Sequence, residues 1–127
     1  MENEVFEEAS HLQHHIEQIS ENLKYLESQI QELEDFLSNI DFFDKSQEKE
    51  IFSSLGKGVH VKSELKSRDL YIEVGAGVIV KKNSQEAKKI IESQIKKLKE
   101  ARLELLSHLE SHQAQLEEFL ENKINKV

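Results

Sequence analysis

All four glycines of this 127-residue chain fall in one stretch, as Gly56-Lys57-Gly58 and Gly75-Ala76-Gly77. Around them runs an internal repeat. Leu55-Gly-Lys-Gly-Val-His-Val-Lys62 matches Val74-Gly-Ala-Gly-Val-Ile-Val-Lys81, nineteen residues later. The chain has no proline, so nothing else interrupts regular structure. Turn chemistry confined to residues 50–82 makes the chain read as helix, small β unit, helix, with the β unit as the place where it turns back.

The first flank sets the class. From Ala9 the apolar positions are Leu12, Ile16, Ile19, Leu23, Leu26, Ile30, Leu33, Leu37 and Ile40, spaced alternately three and four. A heptad seam this regular specifies a coiled coil rather than a generic amphipathic helix. A helix over about 2–43 is expected, roughly 60 Å long at 1.5 Å per residue. Its seam needs a partner to be stable in water. Asp41, Asp44, Ser46 and Gln47 mark its exit, and Phe42 and Phe43 are expected under the β unit or against a neighbouring subunit.

Within the β unit, Val59 and Val61 alternate with His60 and Lys62. Leu70, Ile72 and Val74 alternate with Tyr71 and Glu73, and Val78 and Val80 alternate with Ile79 and Lys81. Period two predicts half-buried strands, near 50–55, 58–65, 69–75 and 77–82. The glycine pairs supply positive φ at two hairpin turns. Four short strands cannot cover their own faces, and their open edges invite other chains. The β unit is therefore expected to be an assembly platform, with Ile51, Val59, Val61, Leu70, Ile72, Val74, Val78 and Val80 as its oligomerisation residues.

A second helix, about 84–125, begins at the cap Asn83-Ser84. Its seam runs through Ile91, Ile95, Leu98, Leu105, Leu109, Leu116 and Phe119, completed by the polar Arg102, His112 and Lys123. A compact hinge puts the two helices antiparallel, with residue 40 near 84 and residue 12 near about 112. Charge agrees: residues 84–102 hold six bases and three acids and face an acidic first helix. The expected fold is thus mainly α, a long antiparallel two-helix coiled coil joined by two β-hairpins, in a single domain over 1–127.

The far tips differ from the rest. Residues 1–21 carry six acids and no Lys or Arg, and residues 103–127 carry five acids and two bases. Among them stand Val5, Phe6, Ala9, Leu12, Leu116, Phe119, Leu120, Ile124 and Val127. Exposed apolar clusters of this kind serve as interaction sites; the competing reading is seam residues at fraying ends.

Composition excludes much. The net charge of −8 makes nucleic acid a poor partner. No apolar run approaches the roughly 20 residues of a membrane span. There is no cysteine, hence no disulfide or thiolate metal site, and the acidic N-terminus is unlike a signal peptide, which points to the cytoplasm. The Gly-x-Gly pairs lack the third glycine and following helix of a dinucleotide fingerprint, and Gly56-Lys57 is followed by Gly58 rather than Ser or Thr. His11/His15 and His108/His112 are spaced i, i+4 and suggest a metal site. Yet His11 falls on an outward position, and solvated histidines are the favoured reading, with no metal expected. No nucleophile–base pair or carboxylate dyad is recognisable, so no enzyme and no cofactor are expected.

Helix, two hairpins with Gly-x-Gly turns, helix resembles the prefoldin α-type subunit. The resemblance rests on Leu55-Gly56-Lys57-Gly58 with Val59 to Leu65, and on Val74-Gly75-Ala76-Gly77-Val78-Ile79-Val80-Lys81-Lys82 leading into Ser84-Gln85-Glu86-Ala87. It covers essentially the whole chain. Ser53-Ser54-Leu55 stands where that family often has Val-Pro. The resemblance implies an inter-subunit β-barrel in a hexamer of two α-type and four β-type subunits, with coiled coils hanging from it. It also implies an ATP-independent holding chaperone that binds unfolded proteins at the coil tips and passes them to a group II chaperonin. The alternative is a prefoldin-like structural or filament-forming assembly protein without client transfer.

Overall fold

The computed structural model describes the backbone of residues 2–125 and the side chains of residues 3–122. The element order is α1 (Glu2–Lys45), β1 (Glu50–Gly56), β2 (Val59–Glu64), β3 (Leu70–Gly75), β4 (Val78–Lys82) and α2 (Ser84–Asn125). The chain divides into two units. One comprises residues 1–32 and 95–127, the other residues 33–94.

The first unit is antiparallel helix against helix. Leu23, Ile30 and Ile95 are buried; Ile16, Ile19, Leu26, Leu98, Leu105 and Leu109 are half-buried. The heptad positions face inward as the sequence requires, with Glu, Gln and Ser outside. Arg102 and His112 are half-buried, as their places in the second seam demand. His15 meets His112 across the pair, their ring centroids 6.0 Å apart, within a turn of the expected level.

The second unit holds both hairpins and the helix ends that carry them. Its core is Ile40, Ala87 and Ile91. The hairpins form two separate antiparallel sheets, β1–β2 and β3–β4. In the first, Phe52 faces Lys62 across the pair, with the ammonium 5.9 Å from the ring centroid. Each hairpin closes on a two-residue loop, Lys57-Gly58 or Ala76-Gly77, with both φ values positive as a type I′ turn requires. Gly56 and Gly75 precede these loops at φ of 109° and 118°, each at a register shift in its ladder. That conformation is open only to a residue without Cβ. The repeat seen in the sequence is therefore one bulge-and-turn device used twice.

Two polar joints tie the helix ends together. Asp41 and Asp44 lie in the last turns of α1, where the helix dipole disfavours anions. Lys88 of α2 supplies the missing cation, with Nζ 2.6 Å from Asp41 and 2.8 Å from Asp44. Arg68, in the β2–β3 connection, donates to the Phe43 carbonyl at 2.6 Å and lies 5.4 Å over the Phe43 ring. It thus satisfies a carbonyl that α1 leaves free at its end. Phe43 is half-buried as expected. Phe42, about 100° away around the helix, is 76% exposed, which leaves it free for the other expected place, against a neighbouring subunit.

α2 opens on an Asn83 N-cap, braced by a side-chain contact with Glu86. The Asn83 Oδ1 accepts from the Glu86 backbone N–H at 2.8 Å, and the Asn83 amide donates to Glu86 Oε1 at 3.2 Å.

Candidate functional site

Two surfaces carry unspent apolar groups. The first is at the open end of the helix pair. Val5, Phe6, Ala9, Ser10 and Gln13 of α1 and Phe119 and Leu120 of α2 line a cleft of about 260 Å3. Val5, Ala9 and Phe119 keep half-buried seam positions, while Phe6 and Leu120 stand beside the seam and are 71% and 45% exposed. Five of the expected tip residues therefore meet in one place. Leu12 and Leu116 are half-buried seam residues outside the cleft lining. The side chain of Ile124, and Val127, lie outside the described residues.

The rim of this end is acidic. Glu4, Glu7, Glu8, Glu117, Glu118 and Glu121 are all exposed. Deeper in the same unit, the His112 Nδ1–H donates to the His108 carbonyl at 2.7 Å. His15 meets His112, but His11 and His108 do not complete a quartet. Among the described residues no group of three or more His, Asp or Glu is arranged to hold a metal ion.

The second surface is the hairpins. Of the expected oligomerisation residues, Ile51, Val59, Val61, Val74 and Val78 are exposed, and Leu70, Ile72 and Val80 are half-buried. Period two predicts strands buried on one face; the first hairpin instead has both faces open, since the described chain supplies nothing to cover it. Sequence alternation also missed Phe52 and Leu55, 69% and 72% exposed, together with Tyr71 and Ile79. The signal for them was present: apolar residues occupy both phases of β1 and β4, the pattern of a strand to be covered on both faces. Leu70 and Ile72 turn toward the helices and, with Phe36, Ile40, Phe43, Ile90 and Ile91, line an open groove of about 630 Å3.

Paired helices with an open apolar end, in one chain with hairpins whose strands are uncovered, are what a chain built to assemble with others would present. The comparisons agree with that class and make it specific. The family model described as prefoldin subunit matches residues 12–126, and the chain belongs to the prefoldin family, a family of chaperone subunits that assemble with one another. Prefoldin subunit alpha 2 of Thermococcus kodakarensis is 36% identical over 78 residues, 61% of this chain. The matched span is about half of that relative's length, 55%. Among solved structures, the chain is similar to a cryo-EM structure of filamentous PFD from Methanocaldococcus jannaschii. The TM-score is 0.74 and the identity 24%, over 94% of this chain and 98% of that one. At that identity the likeness speaks for the fold. The α-type assignment rests on the four strands and on the likeness to the alpha 2 subunit. Among the described residues no helix is long and apolar enough to cross a membrane.

Proposed function

We propose that this chain works as a single prefoldin-like domain in an ATP-independent cytoplasmic holdase, an α-type subunit assembled with β-type subunits as two and four. In this reading the tips bind unfolded proteins and the complex hands them to a group II chaperonin. The observation that carries it is the apolar cleft of Val5, Phe6, Ala9, Phe119 and Leu120 at an otherwise acidic helix end. An unfolded chain differs from a folded one chiefly in displaying bulky apolar side chains, and the cleft offers them a shallow site. One such contact is weak, but several arms engaging one client gain avidity without any tight site. A holder that must later release its client is better served by that arrangement than by one deep pocket.

The test is a truncation. Removing residues 1–12 and 116–127 is expected to leave assembly with a β-type partner intact and to abolish suppression of client aggregation. Undiminished suppression by the truncated complex would sink the tip assignment. A second reading, a filament-forming assembly protein, is favoured by the likeness to filamentous PFD together with the open faces of β1 and β2. Electron microscopy of the purified chain, with and without a β-type partner, separates the two: extended filaments from the chain alone support the second, and closed particles formed only with the partner support the first.

A further inference from the structure

Resting on the tip reading above, we infer that the cleft selects among unfolded segments, preferring a bulky apolar residue flanked by Lys or Arg to the same residue flanked by acids. The cleft of about 260 Å3 lies below the ~300–1,000 Å3 of small-molecule pockets, a size for single side chains rather than for a compact ligand. Its exposed walls, Phe6 and Leu120, give the apolar contact. What surrounds them is mostly of one sign, Lys123 being the one base within a turn of Leu120. The two tip segments, residues 1–21 and 103–127, contain eleven acids and two bases, Lys123 and Lys126. Glu117 lies three residues before Leu120, hence on the same helix face.

Helix stability does not account for these charges. At the start of α1, acids suit the helix dipole. Toward the end of α2 they oppose it, because the C-terminal turns favour cations. Glu118 and Glu121 fall in the last two turns of α2, which ends at Asn125. Among the described residues none of Glu4, Glu7, Glu8, Glu117, Glu118 and Glu121 is in an ion pair. Their field is therefore available to an incoming segment, and at a Debye length of ~10 Å it spans the small cleft. A lysine beside the captured apolar side chain enters that field favourably, and a glutamate there is repelled.

The experiment measures binding of two fluorescent, unstructured peptides to the full chain, at low and at high salt. Both peptides carry the same Phe-Leu core, one flanked by Lys and the other by Glu. The Lys-flanked peptide is expected to bind about tenfold more tightly at low salt, with the gap closing at ~1 M salt, where the Debye length falls to ~3 Å. E117Q/E118Q/E121Q is expected to narrow the low-salt gap, and F6S/L120S to abolish binding of both peptides. Phe6 and Leu120 are exposed enough for the latter change to leave helicity, checked by circular dichroism, intact. Equal affinities for the two peptides, both lost in F6S/L120S, would overturn charge selection and leave the tip reading standing. Lys-flanked binding that survives F6S/L120S would overturn the role of the cleft. No binding of either peptide to the full chain would overturn the tip reading and this inference with it.

Discussion

At the scale of single residues, charge placement at the helix ends makes the sharpest prediction. The Lys88 ammonium, and then the Ser84 hydroxyl, hold the Asp44 carboxyl below its ordinary 3.8, and the hydrogen bonds that Lys88 donates to Asp41 and Asp44 hold its ammonium above its ordinary 10.5. A depressed carboxylate stabilises the fold fully above its ordinary value and loses that contribution as pH falls through the lowered one. A raised lysine contributes fully below its ordinary value and loses that contribution only as pH rises through the raised one. The joint therefore acts over about pH 4 to 10.5 and weakens outside it on both sides. Lys88→Gln is expected to lower the melting temperature throughout that window and to flatten the acid limb of stability against pH, as read by circular dichroism melts.

The hairpin loops make a second residue-scale prediction. Lys57 and Ala76 both stand at φ of 51°, a left-handed conformation that costs an ordinary L residue roughly 1–2 kcal/mol. Asparagine tolerates that region better than alanine. Ala76→Asn is expected to stabilise the chain by about 0.5 kcal/mol, and Gly75→Ala to destabilise it by about 1 kcal/mol or more, because φ of 118° is closed to a residue with Cβ. Chemical denaturation of the two variants checks both signs.

Among the elements, α2 shows how much one cap and one seam decide. Asn83→Ala removes a capping hydrogen bond and is expected to cost about 1 kcal/mol. Ile91→Ala opens the tightest part of the seam beside Ile40 and Ala87 and is expected to cost about 2–3 kcal/mol, the low end for such truncations because a two-helix seam is open to water on one side. Equilibrium unfolding separates the two effects.

These elements were largely legible in the sequence because each rests on a local rule. A three-four spacing marks α1, the cap Asn83-Ser84 marks the start of α2, and paired glycines mark the turns. The cleft's apolar residues could be named for the same reason, since five of them lie on or beside the heptad seam near its ends. What stayed hidden depends on residues distant in sequence. Nothing local couples Arg68 to the Phe43 carbonyl, or Lys88 to Asp41 and Asp44. The strain at Lys57 and Ala76 was invisible too, in that both share a left-handed turn whose positive φ the sequence assigns to the glycines alone.

At the scale of the whole molecule, the proposed function divides labour between the two units: residues 33–94 are expected to assemble, and the open helix ends to capture. The two duties are expected to separate by mutation. Phe52→Lys with Val61→Lys, on exposed strand positions, is expected to prevent association with a β-type partner while leaving helicity unchanged, as read by native mass spectrometry and circular dichroism. Tip substitutions are expected to do the reverse. The most direct measurement is hydrogen exchange on the assembled complex with and without a bound unfolded client. New protection is expected only at about residues 3–13 and 113–122, the segments that border the cleft. New protection in β1 and β2 with the helix ends unchanged would contradict capture at the tips.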